Sequence, residues 1–333
     1  TSVGSIVGGM YSIGYSPDEI EKTILNLKFT SLLTNSKDRN LKNIEDKIEN
    51  DKYPFTVSID KNLKLSFPMG FLNGENIYLQ LKEIFNRAEN IKNFNDLPIQ
   101  YRAITTDLQT GKEVIIRDGD LALATFKSMA IPSFLEPIED NGKFYVDGGV
   151  VNNFPIDVAL SLGADIIIAV DISAEASKIN EKSNLITILD KLATYNGNRK
   201  VDLHKRLADI LIVPDVKDHD TIDFSNLSAL VDEGEKAAEK YGYILENLSY
   251  PKEFKEIKEK SLKEKPILIK NIKLVGNQIL TEEKVKNLMP NVNGNQFTRA
   301  DLNDWTKRVY SVSYIERAFY EVDGDTIIFK VKE

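Results

Sequence analysis

Polar and apolar positions follow two different periods along the first part of the chain. Strict alternation at 55–67 predicts a strand or a hairpin, and the segments 99–106 and 113–117 predict two strands that flank a turn. Continuous apolar runs at 166–171 and 208–213 are typical of strands in a parallel sheet that is covered on both faces. Helical patterns alternate with these strands, so the order of elements predicts an α/β domain with a largely parallel sheet.

Apolar residues at helical spacing predict the helices of this domain. The first helical region, residues 3–27, divides near Gly14, because Ser16 is followed by Pro17 at the first helical position and then by two acids. The remaining helices are expected within 67–85, 119–129, 155–162, 183–204 and 227–247. Between the first two regions, residues 34–52 are densely charged and predict an exposed helix or loop.

The pattern changes after residue 250. Residues 251–265 are mostly Lys and Glu, with both signs at helical spacing, which predicts a charged helical linker. Beyond it, one alternating strand is followed by two helix starts, at Thr281 and Thr298, and by a hairpin with an Asp-Gly-Asp turn. The sequence therefore predicts a large domain at 1–250, the linker, and a small α+β module of β-α-α-β-β order at 266–333.

Composition narrows the classes of function. The chain has 333 residues, a net charge of −8 and no cysteine. The acidic balance argues against a nucleic-acid partner, and the lack of cysteine excludes disulfides, thiolate metal sites and Cys nucleophiles. No run approaches the roughly 18 apolar residues that a membrane-spanning helix needs. A lipid substrate stays compatible with this composition, because short-range apolar contact does not depend on net charge.

The first residues contain a candidate nucleophile. Thr1-Ser2-Val3-Gly4 fits the last four positions of a G-x-S-x-G elbow, in which a serine sits on a sharp turn from a strand into a helix. Such a turn projects the hydroxyl, and the helix N-terminus offers N–H groups and a positive dipole end to a developing oxyanion. The backbone N–H of Val3 is a candidate donor, and Gly4 is a candidate supporting residue of the elbow.

Histidine is a weak candidate for the base that such a serine needs. The chain has two histidines. His204 lies in a helical pattern beside Asp202 and Lys205, and His219 lies in a polar loop, so both are expected to be surface residues. A Ser-His-Asp triad therefore has almost no candidates in this sequence.

A carboxylate is the alternative base. Asp147 ends a predicted strand at 143–147 and is followed by Gly148 and Gly149, which let backbone or substrate approach closely. Strand ends of open parallel sheets are where ligand sites collect. Asp171 ends another predicted strand in the same way, and local sequence alone does not decide between the two carboxylates. A simple Asp-Gly turn is the other interpretation of Asp147.

Four segments together resemble the bacterial patatin-like phospholipases: TSVGSIVGGMYSIGYSPDEI, TDLQTGKEVIIRDG, KSMAIPSFLEPI and YVDGGVVNNFPIDVALSLGADIIIAVDIS. The resemblance runs from residue 1 to about 245. It implies a patatin-like three-layer α/β/α fold with a mostly parallel sheet, and a Ser–Asp dyad rather than a triad. Ser2 matches the family nucleophile and Asp147 the family base, with Gly148 and Gly149 completing the D-G-G motif.

The resemblance also implies the reaction. Patatin-like phospholipases hydrolyse acyl esters, chiefly of glycerophospholipids, without a metal or another cofactor. A carboxylate is a feeble base for an alcohol, so burial is expected to raise the pKa of the catalytic Asp. The family's first strand, its Gly-rich oxyanion loop (G-G-G-x-x-G) and the helix before the elbow are not in this sequence, and we expect them to lie upstream as a further segment of the same domain.

The module at 266–333 resembles a POTRA domain, with LVGNQIL as the characteristic opening. A patatin domain followed by one POTRA domain resembles the patatin-type (type Vd) autotransporters of Gram-negative bacteria. This resemblance implies an outer-membrane β-barrel after residue 333, a periplasmic POTRA domain, and a patatin part that is at the cell surface or secreted. The partners expected are a phospholipid membrane surface and a second copy of the chain in a homodimer.

Two alternatives to a phospholipase A stay open. The patatin part could be a non-catalytic passenger that binds lipid or membrane, with the POTRA domain assisting barrel assembly, or it could be a lysophospholipase or thioesterase. The segments 34–52 and 67–85 are expected to form either a mobile lid with part of the acyl-chain wall, or an ordinary core helix with a polar loop.

Overall fold

The structure is a computed structural model that describes residues 1–35, 58–59, 65–66, 70–173, 185–216, 226–248, 266–289 and 296–333. Three of the sequence predictions concern residues outside these ranges. They are the surface position of His219, the helical linker at 251–265 and most of the charged segment at 34–52.

The helices follow the apolar periodicity closely. In chain order they are α1 (Ser2–Ser12), α2 (Pro17–Leu25), α3 (Phe29–Leu32), α4 (Glu75–Ile84), α5 (Leu121–Ser128), α6 (Ile156–Ser161), α7 (Leu185–His204), α8 (Leu227–Glu239), α9 (Gly242–Glu246), α10 (Glu282–Asn287) and α11 (Arg299–Ser311). In the part of the chain that the structure describes, none of these helices has the length and apolar character to cross a bilayer.

The strands are short. They are β1 (Ser58–Ile59), β2 (Leu65–Ser66), β3 (Gly70–Leu72), β4 (Ala103–Asp107), β5 (Lys112–Ile116), β6 (Ser133–Leu135), β7 (Ile138–Asp140), β8 (Lys143–Asp147), β9 (Ile168–Val170), β10 (Ile210–Ile212), β11 (Ile267–Leu268), β12 (Asn271–Val275), β13 (Gln296–Phe297), β14 (Arg317–Asp323) and β15 (Thr326–Lys332). β1 and β2 pair antiparallel, as the hairpin prediction requires.

The prediction of a largely parallel sheet is wrong for the sheet of the N-terminal part that has the most strands. Its four strands have the order β5-β4-β8-β7, and every neighbouring pair is antiparallel. The β4–β5 and β7–β8 connections are tight turns, which suit antiparallel neighbours, whereas a parallel pair needs a long crossover. Only β3–β6 and β9–β10 pair in parallel among the described strands of this part.

Strand β9 also differs from its prediction. The apolar run predicted a strand covered on both faces, but alternate side chains on one face are exposed, whereas Ile167 and Ala169 point into a small core. The exposed set comprises Ile166, Ile168, Val170 and Ile172. An apolar face of this kind on a strand marks a surface that another polypeptide or apolar ligand can cover.

The N-terminal helices pack as the sequence predicts. Ser16 begins α2 with a capping box, in which its hydroxyl accepts from the N–H of Glu19 and the Glu19 carboxylate accepts from the N–H of Ser16. Helix α4 is buried in the main core through Ile77, Leu81 and Ile84, as the core-helix interpretation of 67–85 expects for the described part of that segment.

A buried charge cluster lies where α4 meets α5. Lys82, in the last turn of α4, has no exposed side-chain area, and its ammonium lies 2.6 Å from Glu89 and 2.7 Å from Asp120. Asp120 is also the N-cap of α5, since its carboxylate accepts from the N–H of Leu123. The nearby carboxylates raise the pKa of Lys82 well above its usual value despite burial, so the lysine stays charged.

The C-terminal module has its own core. Its main elements have the predicted order, with β12, α10, α11, β14 and β15 in sequence and the sheet order β12-β15-β14. Thr298 begins α11 with a capping box to Asp301, as predicted. The short pair β11–β13 is an addition that the sequence analysis did not include. Trp305, the single tryptophan of the chain, is 2% exposed in this core.

Replacement of Asp120 by Ala tests the charge cluster. We expect a loss of about 3–5 kcal/mol in the free energy of unfolding, because the change leaves the Lys82 ammonium with one carboxylate fewer in a buried site. Asp118→Ala is the matched control, since Asp118 is 72% exposed and lies 3.8 Å from Arg117. Urea denaturation of both variants checks this expectation, and equal destabilisation by the two changes would contradict it.

Candidate active site

The serine of the elbow-like stretch begins α1. Ser2 is the first residue of the helix and has a φ of +48°, a left-handed conformation that non-glycine residues rarely adopt. Only Ser133 and Asn141 share a positive φ among the other non-glycine residues that the structure describes. Such strain in a polar residue is typical of functional turns, and a nucleophile elbow requires it.

A chain of hydrogen bonds fixes the first turn of α1. The Ser5 hydroxyl donates to the Ser2 carbonyl at 2.6 Å, and the Tyr101 hydroxyl donates to the Ser5 carbonyl at 2.8 Å. Burial raises the pKa of Tyr101 to about 12, which keeps the phenol protonated and able to donate. The position of Ser2 is thus tied to a buried side chain from the segment that leads into β4.

Asp147 is held at the end of β8 by the antiparallel sheet. Its backbone N–H donates to the Ala130 carbonyl, and its carbonyl accepts from the Thr106 hydroxyl. The residue is 4% exposed, and its carboxylate accepts from the Gly149 N–H at 2.7 Å. This bond begins the short 3-10 turn Gly148–Val150, so the carboxylate is oriented by the D-G-G segment itself.

Glycine is required at position 148 by close packing. A Cβ built on Gly148 would collide with the Ile104 carbonyl oxygen of β4 and would lie 2.9 Å from Thr1 Cγ2. On the other side of the turn, the carbonyl of Gly149 meets Gly197 of α7, where no side chain fits either. The D-G-G segment is therefore enclosed by a strand, a helix and the first residue of the chain.

The two candidate catalytic segments meet at Thr1. Its side chain touches Gly148, and its hydroxyl lies 3.4 Å from the Asn153 carbonyl, which follows the D-G-G turn. The start of α1 and the D-G-G turn after β8 are thus neighbours, although they are about 145 positions apart in sequence.

Asp171, the competing carboxylate, has a different environment. It is 3% exposed and forms an ion pair with Lys205 at 2.5 Å, and it accepts from the backbone N–H of Ser173 at 2.9 Å. These partners occupy its oxygens, so Asp171 ties the end of β9 to the residues that follow α7.

His204 is not the solvated surface residue that its neighbours in sequence predicted. Its side chain is 13% exposed, and Nδ1 lies 2.6 Å from the Phe154 carbonyl and 3.8 Å from Asp157. Helix α7 packs on the D-G-G turn, and His204 therefore faces the interior of the protein. The histidine therefore links the C-terminal end of α7 to the backbone at Phe154.

Several residues around the site carried no recognisable sequence signal. Tyr101 precedes a buried strand in an ordinary apolar context, and Gly197 is one small residue inside a long helix. Asn153 is the exception, because it belongs to an Asn pair directly after the D-G-G motif and could have been singled out from the sequence. Its side-chain amide donates to the side-chain oxygen of Asn198 at 3.1 Å. Within the described ranges, no group of three or more His, Asp or Glu side chains is arranged to hold a metal ion.

One family model matches the N-terminal part of the chain. Residues 1–160 match the model of the patatin-like phospholipase family. The match supports a patatin-like phospholipase domain in the N-terminal part of the chain. It includes Ser2, Asp147 and both glycines of the D-G-G turn, and it ends before Asp171 and His204. We refer below to the matched part, residues 1–160, as the patatin-like domain.

Three relatives illustrate the similarity. A putative patatin-like phospholipase domain-containing protein of Caenorhabditis elegans is 29% identical over 182 residues, which are 54% of this chain and 14% of the relative. Patatin-like phospholipase domain-containing protein 7 of Mus musculus is 32% identical over 115 residues, which are 34% of this chain and 8% of the relative. An NTE family protein of Mycobacterium bovis is 34% identical over 104 residues, or 31% and 28% of the two chains. The chain thus covers less than a third of each of these relatives.

A side chain at position 148 tests the enclosed turn. Gly148→Ala should displace β4 or the start of α1, and we expect a lower melting midpoint together with loss of any serine-dependent hydrolysis. Gly234→Ala is the matched control, because a Cβ there meets nothing within 4 Å and alanine favours the helix α8. Thermal melts and ester hydrolysis measure the two effects, and a fully active, equally stable Gly148→Ala protein would refute the packing argument.

Proposed function

We propose that the patatin-like domain is a serine lipid acyl hydrolase that cleaves carboxylic ester bonds of glycerophospholipids, with Ser2 as the nucleophile and Asp147 as the general base. The family match and the named relatives support a lipid hydrolase. The observation that carries the assignment of residues is the strained Ser2 at the start of α1, whose neighbour Thr1 lies against the D-G-G turn that begins with the buried Asp147.

The chemistry follows from these two groups. Asp147 accepts the proton of the Ser2 hydroxyl while Oγ attacks the acyl carbon, and collapse of the tetrahedral intermediate releases the alcohol part of the lipid. Water then attacks the acyl-enzyme with Asp147 as base, and the fatty acid leaves as Ser2 regains its proton. Each step balances without a metal or another cofactor.

Charge stabilisation is assigned to the N-terminus of α1. The first N–H groups of a helix have no acceptor within the helix, and they lie at the positive end of its dipole. We propose that the Val3 N–H donates to the oxyanion, together with donors from the Gly-rich segment that the family resemblance implies. A single oxyanion donor contributes about 3–4 kcal/mol to transition-state stabilisation.

Apolar surface lies on the same helix. Val3, Val7 and Tyr11 recur at helical spacing along α1 and are each about two-fifths exposed, and β9 has its own exposed apolar face. These side chains support the proposal that further polypeptide of the same domain covers this side and completes the acyl-chain pocket.

Gly4 follows Val3 in the first turn, and a Cβ at this position would meet nothing within 4 Å.

The cellular setting is part of the same proposal. We take 266–333 to be a POTRA domain, as its order of elements supports, and the chain to be part of a patatin-type autotransporter of the bacterial outer membrane. The patatin-like domain would then act on phospholipid at the cell surface or after secretion. A non-catalytic lipid-binding passenger is the alternative, and it makes the opposite prediction for the serine.

Replacement of Ser2 tests the nucleophile. Ser2→Ala should abolish covalent labelling by a fluorophosphonate probe and reduce phospholipid hydrolysis to a few per cent or less, because the change removes the hydroxyl that attacks the acyl carbon. Ser12→Ala is the matched control: Ser12 is a buried serine of the same helix whose hydroxyl donates to the Gly9 carbonyl at 2.7 Å. Active wild-type protein that labels elsewhere would exclude Ser2, and a complete protein that never labels would favour the binding module.

Replacement of Asp147 tests the base. Asp147→Asn preserves the shape of the side chain but cannot accept the serine proton, so kcat should fall by about a hundredfold or more while KM changes little. In the wild type, kcat should decline as the pH is lowered through the titration of the Asp147 carboxylate.

Asp171→Asn is the control for this change. It removes a buried carboxylate of similar exposure, which binds Lys205, and should lower stability without a comparable loss of kcat. Activity of Asp147→Asn close to that of the wild type, or a rate that is constant from acid to neutral pH, would rule out Asp147 as the base.

A further inference from the structure

We propose that the C-terminal module, residues 266–333, is bound to the patatin-like domain by a non-covalent docking surface, so that the two parts stay together when the chain between them is cut. The domain contributes Asn73, Tyr78, Lys82, Glu89 and Glu136 to this surface, and the module contributes Arg299, Tyr310, Arg317, Phe319 and Tyr320. This association does not depend on the catalytic assignment.

The first argument is charge balance. Within the domain, the buried Lys82 cation faces two carboxylates, Glu89 and Asp120, which leaves this cluster with one excess negative charge. Arg299 of the module lies 3.5 Å from Glu89, and both side chains are 3% exposed. The module thus supplies the second buried cation, and it also excludes water from the cluster. Lys92 adds a weaker interaction with Asp120 from the domain side.

The second argument is aromatic packing at the centre of the surface. The rings of Tyr78 and Phe319 lie 4.4 Å apart, and the Lys82 ammonium lies 4.1 Å from the centroid of the Tyr320 ring. Tyr78 is 1% exposed and Tyr320 is fully buried. Separation of the two parts would expose these rings and the Lys82 cation together. A desolvated aromatic and cationic centre is what strong protein interfaces share.

The third argument is the polar rim. Arg317 of the module forms an ion pair with Glu136 of the domain at 2.9 Å. The Asn73 amide donates to the Tyr310 hydroxyl at 3.0 Å and to the Glu316 carbonyl at 3.2 Å. An apolar centre surrounded by paired polar groups, with opposite charges facing each other, is the composition of a specific protein–protein interface. The occupant that this surface fits is therefore the module of the same chain.

Cleavage of the folded full-length chain tests the proposal. A protease recognition sequence is inserted within residues 251–265, the protein is cut under native conditions, and the products are analysed by size-exclusion chromatography at micromolar concentration. We expect both fragments in one peak at the position of the uncut chain. Elution of two separate folded fragments would overturn the proposal. Fluorescence of Trp305, the single tryptophan, reports whether the module is still folded.

Substitutions then test which contacts hold the fragments. Arg299→Met removes the second buried cation, and we expect the dissociation constant of the cut protein to rise about tenfold or more. Arg308→Met is the matched control on the same helix α11, because Arg308 pairs with Asp304 within the module. Equal affinities of the two variants would show that the charge cluster does not bind the module.

A charge swap at the rim keeps the test decisive if Arg299→Met does not fold. Glu136→Arg and Arg317→Glu should each weaken the association, because like charges then face each other, and the double variant should restore at least part of the lost affinity. Additive weakening in the double variant, with native Trp305 fluorescence throughout, would contradict the proposed contact.

Discussion

A lysine ammonium with no access to water can persist only if carboxylates surround it, and this requirement at Lys82 organises the central part of the molecule. The two carboxylates come from different elements, since Glu89 follows α4 and Asp120 caps α5. Both helices are therefore fixed by the same charge. Because a buried ion without partners costs several kcal/mol, any arrangement that separates these elements is strongly disfavoured.

The candidate site inherits its geometry from this arrangement. Helix α5, which Asp120 begins, packs against α1, and α1 carries Ser2 at its start. From the opposite side, β4 supports Asp147 through Thr106 and leaves room only for glycine at position 148. The serine and the carboxylate are thus held by two separately buried supports. Each residue is positioned by packed secondary structure, which favours a precise site over a loop-borne one.

Much of this organisation could be predicted from the sequence, and the exceptions have physical causes. Helix starts at Ser16 and Thr298 were predictable because capping is local chemistry. The pairing direction of β4 and β8 was not, because strand partners are chosen by non-local contacts that periodicity does not encode. The prediction for His204 was wrong for the same reason: a polar residue beside charged neighbours in a helix is usually solvated, and only its tertiary partners reveal its burial.

The proximity of Thr1 to the D-G-G turn is another feature that could not be predicted from the sequence. The elbow and the D-G-G motif could each be recognised from their residue types, and family resemblance assigned Asp147 over Asp171. The sequence does not show that Lys205 forms an ion pair with Asp171, or that Tyr101 donates a hydrogen bond to the first turn of α1, because both contacts join distant positions. Such partners become visible only when the chain is folded.

The origin of Arg299 has a consequence for how the protein is made. A chain synthesised from its N-terminus contains Lys82, Glu89 and Asp120 long before residue 299 exists. During that interval the cluster has an excess negative charge and an aromatic face open to water. Full stability is reached only when the module at 266–333 has emerged and folded onto this face. The finished state of the N-terminal part is therefore coupled to complete translation, and a truncated chain carries an exposed, charged interface that quality-control proteases can recognise.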